Sequence, residues 1–226
     1  MKNRKIKKYG AIMVAVTTFL SAVNIKPQTL YAEEEYWPTG PQINSPCAVV
    51  MEVNTGAVLY EKNSHEQHYP ASITKILTTY LAIENSQMDE TVTFSADAVF
   101  KNEGDSSHIS RDLDEQMTME QTLYGVMLES ANECAYAAAE HVGKKLGGDY
   151  QTFIDLMNQR AAEIGCTNTH FANANGLPDK NHYTSAHDMA LISAEAYKNE
   201  AFRIIIETRS YRIPPTNKHA DITPLN

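Results

Sequence analysis

Ser72 and Lys75 stand three residues apart in Pro70-Ala71-Ser72-Ile73-Thr74-Lys75, and a second hydroxyl and a carboxamide follow in Ser130-Ala131-Asn132. Side chains three apart on a helix share a face, so an amine that has lost its proton can accept the hydrogen of the Ser72 hydroxyl. Desolvation lowers an amine's pKa, and Ile73, Ile76 and Leu77 give Lys75 an apolar setting. Ser72 also falls at the beginning of its helix, where free N–H groups and the positive end of the dipole favour a developing alkoxide. Ser130 and Asn132 could relay a proton to a leaving amine and hold a substrate amide. The residues suggest acyl transfer by a serine whose base is a lysine. Ser-x-x-Lys also occurs by chance on solvated helix turns, and the pair alone leaves both readings open.

Several elements must position these groups. The helix carrying Ser72 has Ile73, Ile76, Leu77, Tyr80, Leu81 and Ile83 at steps of three and four, which predicts a central, largely buried helix. Ahead of it, Cys47–Val53 and Ala57–Tyr60 flank the turn signal Asn54-Thr55-Gly56 and predict a hairpin. Thr91–Phe94 reads as a short strand and Lys101–His108 as a polar loop. Thr118-Met119-Glu120-Gln121 has the form of a capping box opening a helix with Leu123, Met127 and Leu128 at helical spacing, which Ser130-Ala131-Asn132 follows directly. Glu133–Val142 is alanine-rich, and Tyr150–Gly165 is amphipathic with Phe153, Leu156, Met157, Ala161 and Ile164 on one side. Asn173–Leu177 predicts a turn rather than a substrate contact, Ser185–Asp188 opens a last helix through about Tyr197, and Tyr211–Ile213 reads as a strand.

Composition bounds the function. Of 226 residues, 42% are apolar and 21% charged, which suits a globular protein with a buried core. Lys2, Arg4, Lys5, Lys7 and Lys8 precede the uncharged stretch Ala11–Val23, and Leu30-Tyr31-Ala32 offers a small residue for cleavage. That pattern predicts a secretory signal over 1–32, with a lead-in over 33–45, and export to the cell envelope or beyond. An uncleaved anchor is the alternative, weakened because the stretch falls short of the ~20 residues a spanning helix needs. Removing 1–32 takes away Lys2, Arg4, Lys5, Lys7, Lys8 and Lys26 and no acid, so the formal charge moves from −9 to −15. Such a surface repels phosphate backbones and argues against nucleic acid as a partner. Cys47, Cys134 and Cys166 form no C-x-x-C pair and read as small buried hydrophobes, with one disulfide left open. The histidines offer no H-E-x-x-H, so no metal is expected, and His182 and His187 read as loop and cap residues.

The stretches Val53–Asn63, Pro70–Lys75, Ser130–Glu133, Phe171–Leu177 and His182–Ala190, in this order and approximate spacing, carry a resemblance. From Pro46 to about Ile213 the chain resembles the serine D-alanyl-D-alanine carboxypeptidases, low-molecular-mass penicillin-binding proteins of peptidase family S11 and relatives of the serine β-lactamases. The resemblance implies an α/β fold, a β-lactamase/transpeptidase-like sheet with a helical subdomain, and no cofactor. It implies Ser72 as acylated nucleophile, Lys75 as general base, Ser130 as the catalytic hydroxyl of the second motif and Asn132 as its substrate-binding amide. Peptidoglycan stem peptides would be the substrate and β-lactams acylating inhibitors.

One departure stands out. The family's third motif, Lys-Thr-Gly or Lys-Ser-Gly on a late strand, is found nowhere in the sequence. In the family its lysine helps hold the peptide carboxylate, and a backbone N–H just beyond completes the oxyanion hole; losing one such donor costs about 10²- to 10³-fold in rate. The expectation is a partial carboxypeptidase domain over 46–226 that lacks the late strands of the sheet, the C-terminal β-rich domain and the amphipathic membrane anchor. Weak or no activity of the chain alone is expected, and the early hairpin is expected to keep an unpaired edge. A class A-type β-lactamase is disfavoured by Ala131 and by the want of a Glu-x-x-x-Asn element, and a non-catalytic envelope binding protein is the reading from another class.

Overall fold

The apolar runs on either side of Asn54-Thr55-Gly56 pair as β1 (Ala48–Met51) and β2 (Val58–Lys62), antiparallel, with a shift of register between Val50 and Met51. Glu52 fixes the turn: its carboxylate accepts from the Thr55 hydroxyl at 2.6 Å and from the Asn54 and Thr55 N–H groups at 3.1 and 2.7 Å. Those donors, the Thr55 hydroxyl foremost, hold the Glu52 carboxyl down to about 2. The computed structural model describes residues 40–101 and 106–226, and all its elements fall in the unit Ile43–Asn226. The signal expected over 1–32, the lead-in up to 39 and the centre of the Lys101–His108 loop lie outside the described residues.

Helices make up most of the unit. A 3-10 turn, Ala71–Thr74, runs directly into α1 (Lys75–Asn85). Then follow β3 (Thr91–Thr93), α2 (Ala96–Phe100), β4 (Gln116–Thr118), α3 (Met119–Leu128), α4 (Asn132–Lys145), α5 (Tyr150–Ile164), α6 (Ala186–Tyr197), α7 (Glu200–Glu207), β5 (Tyr211–Ile213) and β6 (Thr223–Leu225). The strands form three antiparallel two-stranded sheets, β1–β2, β3–β4 and β5–β6. Among the described residues β1–β2 thus has no third strand, and Val50, Val58 and Leu59 are exposed on it.

The helix ends follow side-chain chemistry. Thr118 and Gln121 close the expected capping box on α3, Asp149 accepts from Gln151 and Thr152 N–H at the start of α5, and Ser185 accepts from Asp188 N–H at the start of α6. The core lies where α1 meets α3, α4, α5 and α6, and Leu77, Leu81, Leu123, Phe153, Met157 and Ile192 are buried in it. Full burial of each such side chain contributes roughly 1.5–3 kcal/mol. The buried alanines of α4 (Ala135, Ala137, Ala138, Ala139) let it lie close to its neighbours.

The chain departs from the sequence reading at four elements. The short α2, opened by Ser95, and the three-residue β4, paired with β3, stand where no element was expected. The helix through Tyr197 is not the last: Asn199 accepts from Phe202 N–H and starts α7, whose eight residues bury only Phe202 and Ile205, too few positions for a clear period. β6 contains Pro224, a strand breaker in sequence terms, tolerated because β6 pairs on one side only.

Candidate active site

Three segments bring the site together: the 3-10 turn with Ser72, the connection from α3 to α4 with Ser130 and Asn132, and the loop 171–177. Ser72 is exposed at the surface, and Lys75 lies beneath it at 2% exposure. The Lys75 ammonium donates to Ser72 Oγ at 3.2 Å, to Asn132 Oδ1 at 2.7 Å and to the Asn175 carbonyl at 2.7 Å. An ammonium has three protons, and all three are thus assigned. When one leaves, the two stronger acceptors keep the remaining N–H groups, so the lone pair faces Ser72 Oγ.

Burial pulls the Lys75 amine down to about 8, against the opposing charge of Glu133. About one molecule in ten then carries the neutral amine at pH 7, where an ordinary lysine would have almost none. A hydroxyl open to solvent with a partly neutral amine beside it can act as an activated nucleophile.

The backbone around the site is strained. Ala71 (φ 49°) and Ser130 (φ 55°) both sit in the left-handed region, at about 1–2 kcal/mol each for an L-residue. Ser130 Oγ is buried and has no hydrogen-bond partner among the described residues. Of the four residues singled out from the sequence, Ser72, Lys75 and Asn132 are therefore linked, whereas Ser130 is tied in through the chain only. Asn132 N–H donates to the Ser107 carbonyl at 2.9 Å, which fixes the start of α4.

The loop 171–177 does more than turn the chain. Asn158 of α5 brackets Phe171, accepting from its N–H and donating to its carbonyl, each at 2.8 Å. Thr78 of α1 donates to the Ala174 carbonyl at 2.7 Å, and Tyr150 accepts from Ala174 N–H at 2.9 Å. These bonds deliver the Asn175 carbonyl to Lys75. Sequence reasoning missed this contact because a backbone carbonyl leaves no residue-type signal. His182, expected as a loop residue, is 1% exposed and bonded on both ring nitrogens.

Asp112, Glu115 and His219 bring three ligand-type atoms within 4.8 Å of one another. Glu115 is already committed there: it accepts from Arg111 at 2.8 Å, Thr216 at 2.7 Å, His219 at 3.0 Å and Asp112 N–H at 2.8 Å. This group is an ion-pair hub that fastens the C-terminal segment, not an open ligand set. Cys47, Cys134 and Cys166 are all free thiols, and burial pushes the Cys134 thiol well up.

Residues 34–217 match the family described as peptidase S11, D-alanyl-D-alanine carboxypeptidase, and the chain belongs to that family. It is 33% identical over 195 residues to the D-alanyl-D-alanine carboxypeptidase DacA of Haemophilus influenzae, covering 83% of this chain and 48% of that protein. It superposes on the crystal structure of the Streptomyces K15 DD-transpeptidase with a TM-score of 0.73 at 30% identity, covering 84% of this chain and 74% of that one. With penicillin-binding protein 5 of Haemophilus influenzae the TM-score is 0.72 at 30% identity, covering 83% and 54%. The fold is that of the β-lactamase/transpeptidase-like DD-peptidases, helices with few strands, and the chain spans about half the length of curated relatives such as DacA.

Proposed function

We propose that residues 46–226 form the acylating part of a serine D-Ala-D-Ala carboxypeptidase that works on peptidoglycan stem peptides. Ser72 Oγ bonds to the carbonyl carbon of the penultimate D-alanine as its proton passes to Lys75 Nζ. The tetrahedral adduct collapses, the C–N bond breaks, and the leaving D-alanine amine takes that proton back by way of Ser130. Asn132 holds the substrate amide. Water then adds to the Ser72 ester as Lys75 takes its proton, the bond between the acyl carbon and Ser72 Oγ breaks, Oγ takes that proton from Lys75, and the shortened peptide leaves as its acid.

The observation that supports this reading above others is the 3.2 Å contact between the buried Lys75 amine and the exposed Ser72 hydroxyl. β-Lactams are the natural probe, since their ring carbonyl acylates the same hydroxyl without a leaving group that diffuses away. Prolonged incubation with a fluorescent penicillin followed by intact-mass measurement should show one adduct on Ser72, and Ser72→Ala should show none. No adduct on the wild-type chain overturns the proposal.

The basic start Lys2–Lys8, the uncharged stretch Ala11–Val23 and the small residue Ala32 support a signal removed on export. Among the described residues no helix is long and apolar enough to cross a membrane. Cell fractionation with N-terminal sequencing of the mature chain tests this: a cytoplasmic chain that keeps Met1–Ala32 would refute it.

A further inference from the structure

His182 lies 108 residues from Thr74, yet its Nε2 is 2.8 Å from Thr74 Oγ1, in the turn that carries Ser72. Its Nδ1 accepts from Ala172 N–H at 3.0 Å and from Asn173 N–H at 3.4 Å. Backbone N–H groups only donate, so Nδ1 carries no proton and the hydrogen sits on Nε2, donated to Thr74. The ring thus bridges the nucleophile turn and the loop that presents the Asn175 carbonyl to Lys75. It is 1% exposed and packs edge-on against Phe171. Of the charged and titratable groups that act on it, Asp179 favours its protonation and His170 opposes it, while burial, the largest influence, brings it down to about 4.

We propose that His182, as the neutral Nε2–H tautomer, is a positioning residue for the Ser72–Lys75 pair, holding the Asn175 carbonyl against Lys75 by cross-linking loop 171–177 to Thr74. The proposal rests on the reading of Ser72 and Lys75 as nucleophile and base. It does not require His182 to touch substrate. Without the cross-link the loop can lift, the amine regains water, and its proton is held more tightly, because burial is the main influence that loosens it.

Two readouts on the full chain test this. The first is the titration of Lys75 followed by NMR on ¹³C-labelled lysine, with Lys75→Arg to assign the signal. The second is the rate of Ser72 acylation by a fluorescent penicillin. Wild type should titrate near 8. His182→Phe should move that midpoint up towards an ordinary lysine and slow acylation by about ten- to a hundredfold. Thr74→Val, which removes the other end of the bridge with little change of volume, should act in the same direction. His182→Gln, which keeps a donor near the Nε2 position, should recover part of both losses. Thermal unfolding identifies any variant that fails to fold, and His182→Gln and Thr74→Val then decide. Folded variants whose Lys75 midpoint stays at the wild-type value overturn the proposal, even if acylation falls. If wild type is not acylated at all, the reading of the site as an acylating centre fails, while the Lys75 midpoint still decides whether His182 positions it.

Discussion

Gly176 lies directly on the Ala71 carbonyl: a Cβ placed on Gly176 would stand 1.9 Å from that oxygen, and its φ is +87°. A side chain there is excluded by contact and by backbone conformation at once. Gly176→Ala should destabilise the protein by about 1–3 kcal/mol and slow acylation by penicillin, because the loop must back away from the Ser72 turn. Denaturant unfolding and labelling rates on the same preparation check it. Wild-type values in both would show that the loop gives way without consequence.

The pH dependence of acylation follows from Lys75. The rate should rise with pH through about 8 and level off above it. Asn132→Asp keeps the shape but sets a carboxylate 2.7 Å from the amine, where Asn132 Oδ1 now accepts. An opposite charge at that range favours the ammonium by about one to three pKa units, so the profile should shift upward by that much. Stopped-flow acylation between pH 6 and 11, read as a rate against pH, measures the shift.

Burial of Lys75 also predicts a stability profile. The unfolded lysine keeps its proton to 10.5 and the folded one gives it up near 8, so the unfolded chain binds more protons in between. Stability from this group therefore climbs as pH rises from 8 to 10.5, by on the order of 3 kcal/mol. Comparing urea midpoints of wild type and Lys75→Met across that window isolates the contribution, since the variant lacks the slope.

At the acid end His182 acts in the same sense. Its folded value of about 4 lies below the ordinary 6.5, so the unfolded chain takes up the proton first as pH falls. The stability it contributes is complete above 6.5 and is lost progressively between 6.5 and 4. His182→Gln should flatten that part of the stability curve. An unchanged acid slope in the variant would show that the ring takes up its proton as readily in the fold as in the unfolded chain.

Glu115 is a further buried charged group. Its pair with Arg111 is 0% and 3% exposed, and the same carboxylate accepts from Thr216 and His219. Burial opposes its ionisation, but the Asp112 N–H, Thr216, Arg111 and His219 outweigh it and keep the carboxyl low. Glu115→Gln leaves the guanidinium without its counter-charge and should cost about 3–5 kcal/mol. Hydrogen exchange should show the amides of β5 and β6 losing protection first.

Much of the scaffold was legible in the sequence because it is local. The hairpin around Asn54-Thr55-Gly56, the Thr118–Gln121 box, the period of α1 and the cap at Ser185 each depend on residues a few positions apart. The spacing of Ser72 and Lys75 was legible for the same reason, and so was the direction of the Lys75 shift from its apolar neighbours. What escaped is non-local or carried by backbone: the Asn175 carbonyl, the Thr74–His182 bond, and the seating of Glu115 under Thr216 and His219. Of the short elements, α2, β4 and α7 bury too few positions to show a period, and β6 was hidden by a proline.

Lys75 finds its partners 57 and 100 residues further along the chain, and Thr74 of the Ser72 turn finds His182 after 108. During synthesis the hydroxyl and the amine leave the ribosome side by side, but the walls that dry the amine arrive only with the stretch through His182. A nascent chain arrested before that point carries both groups and lacks the reagent they make together. Penicillin labelling of stalled chains of increasing length would then mark the moment at which translation has delivered a finished pocket.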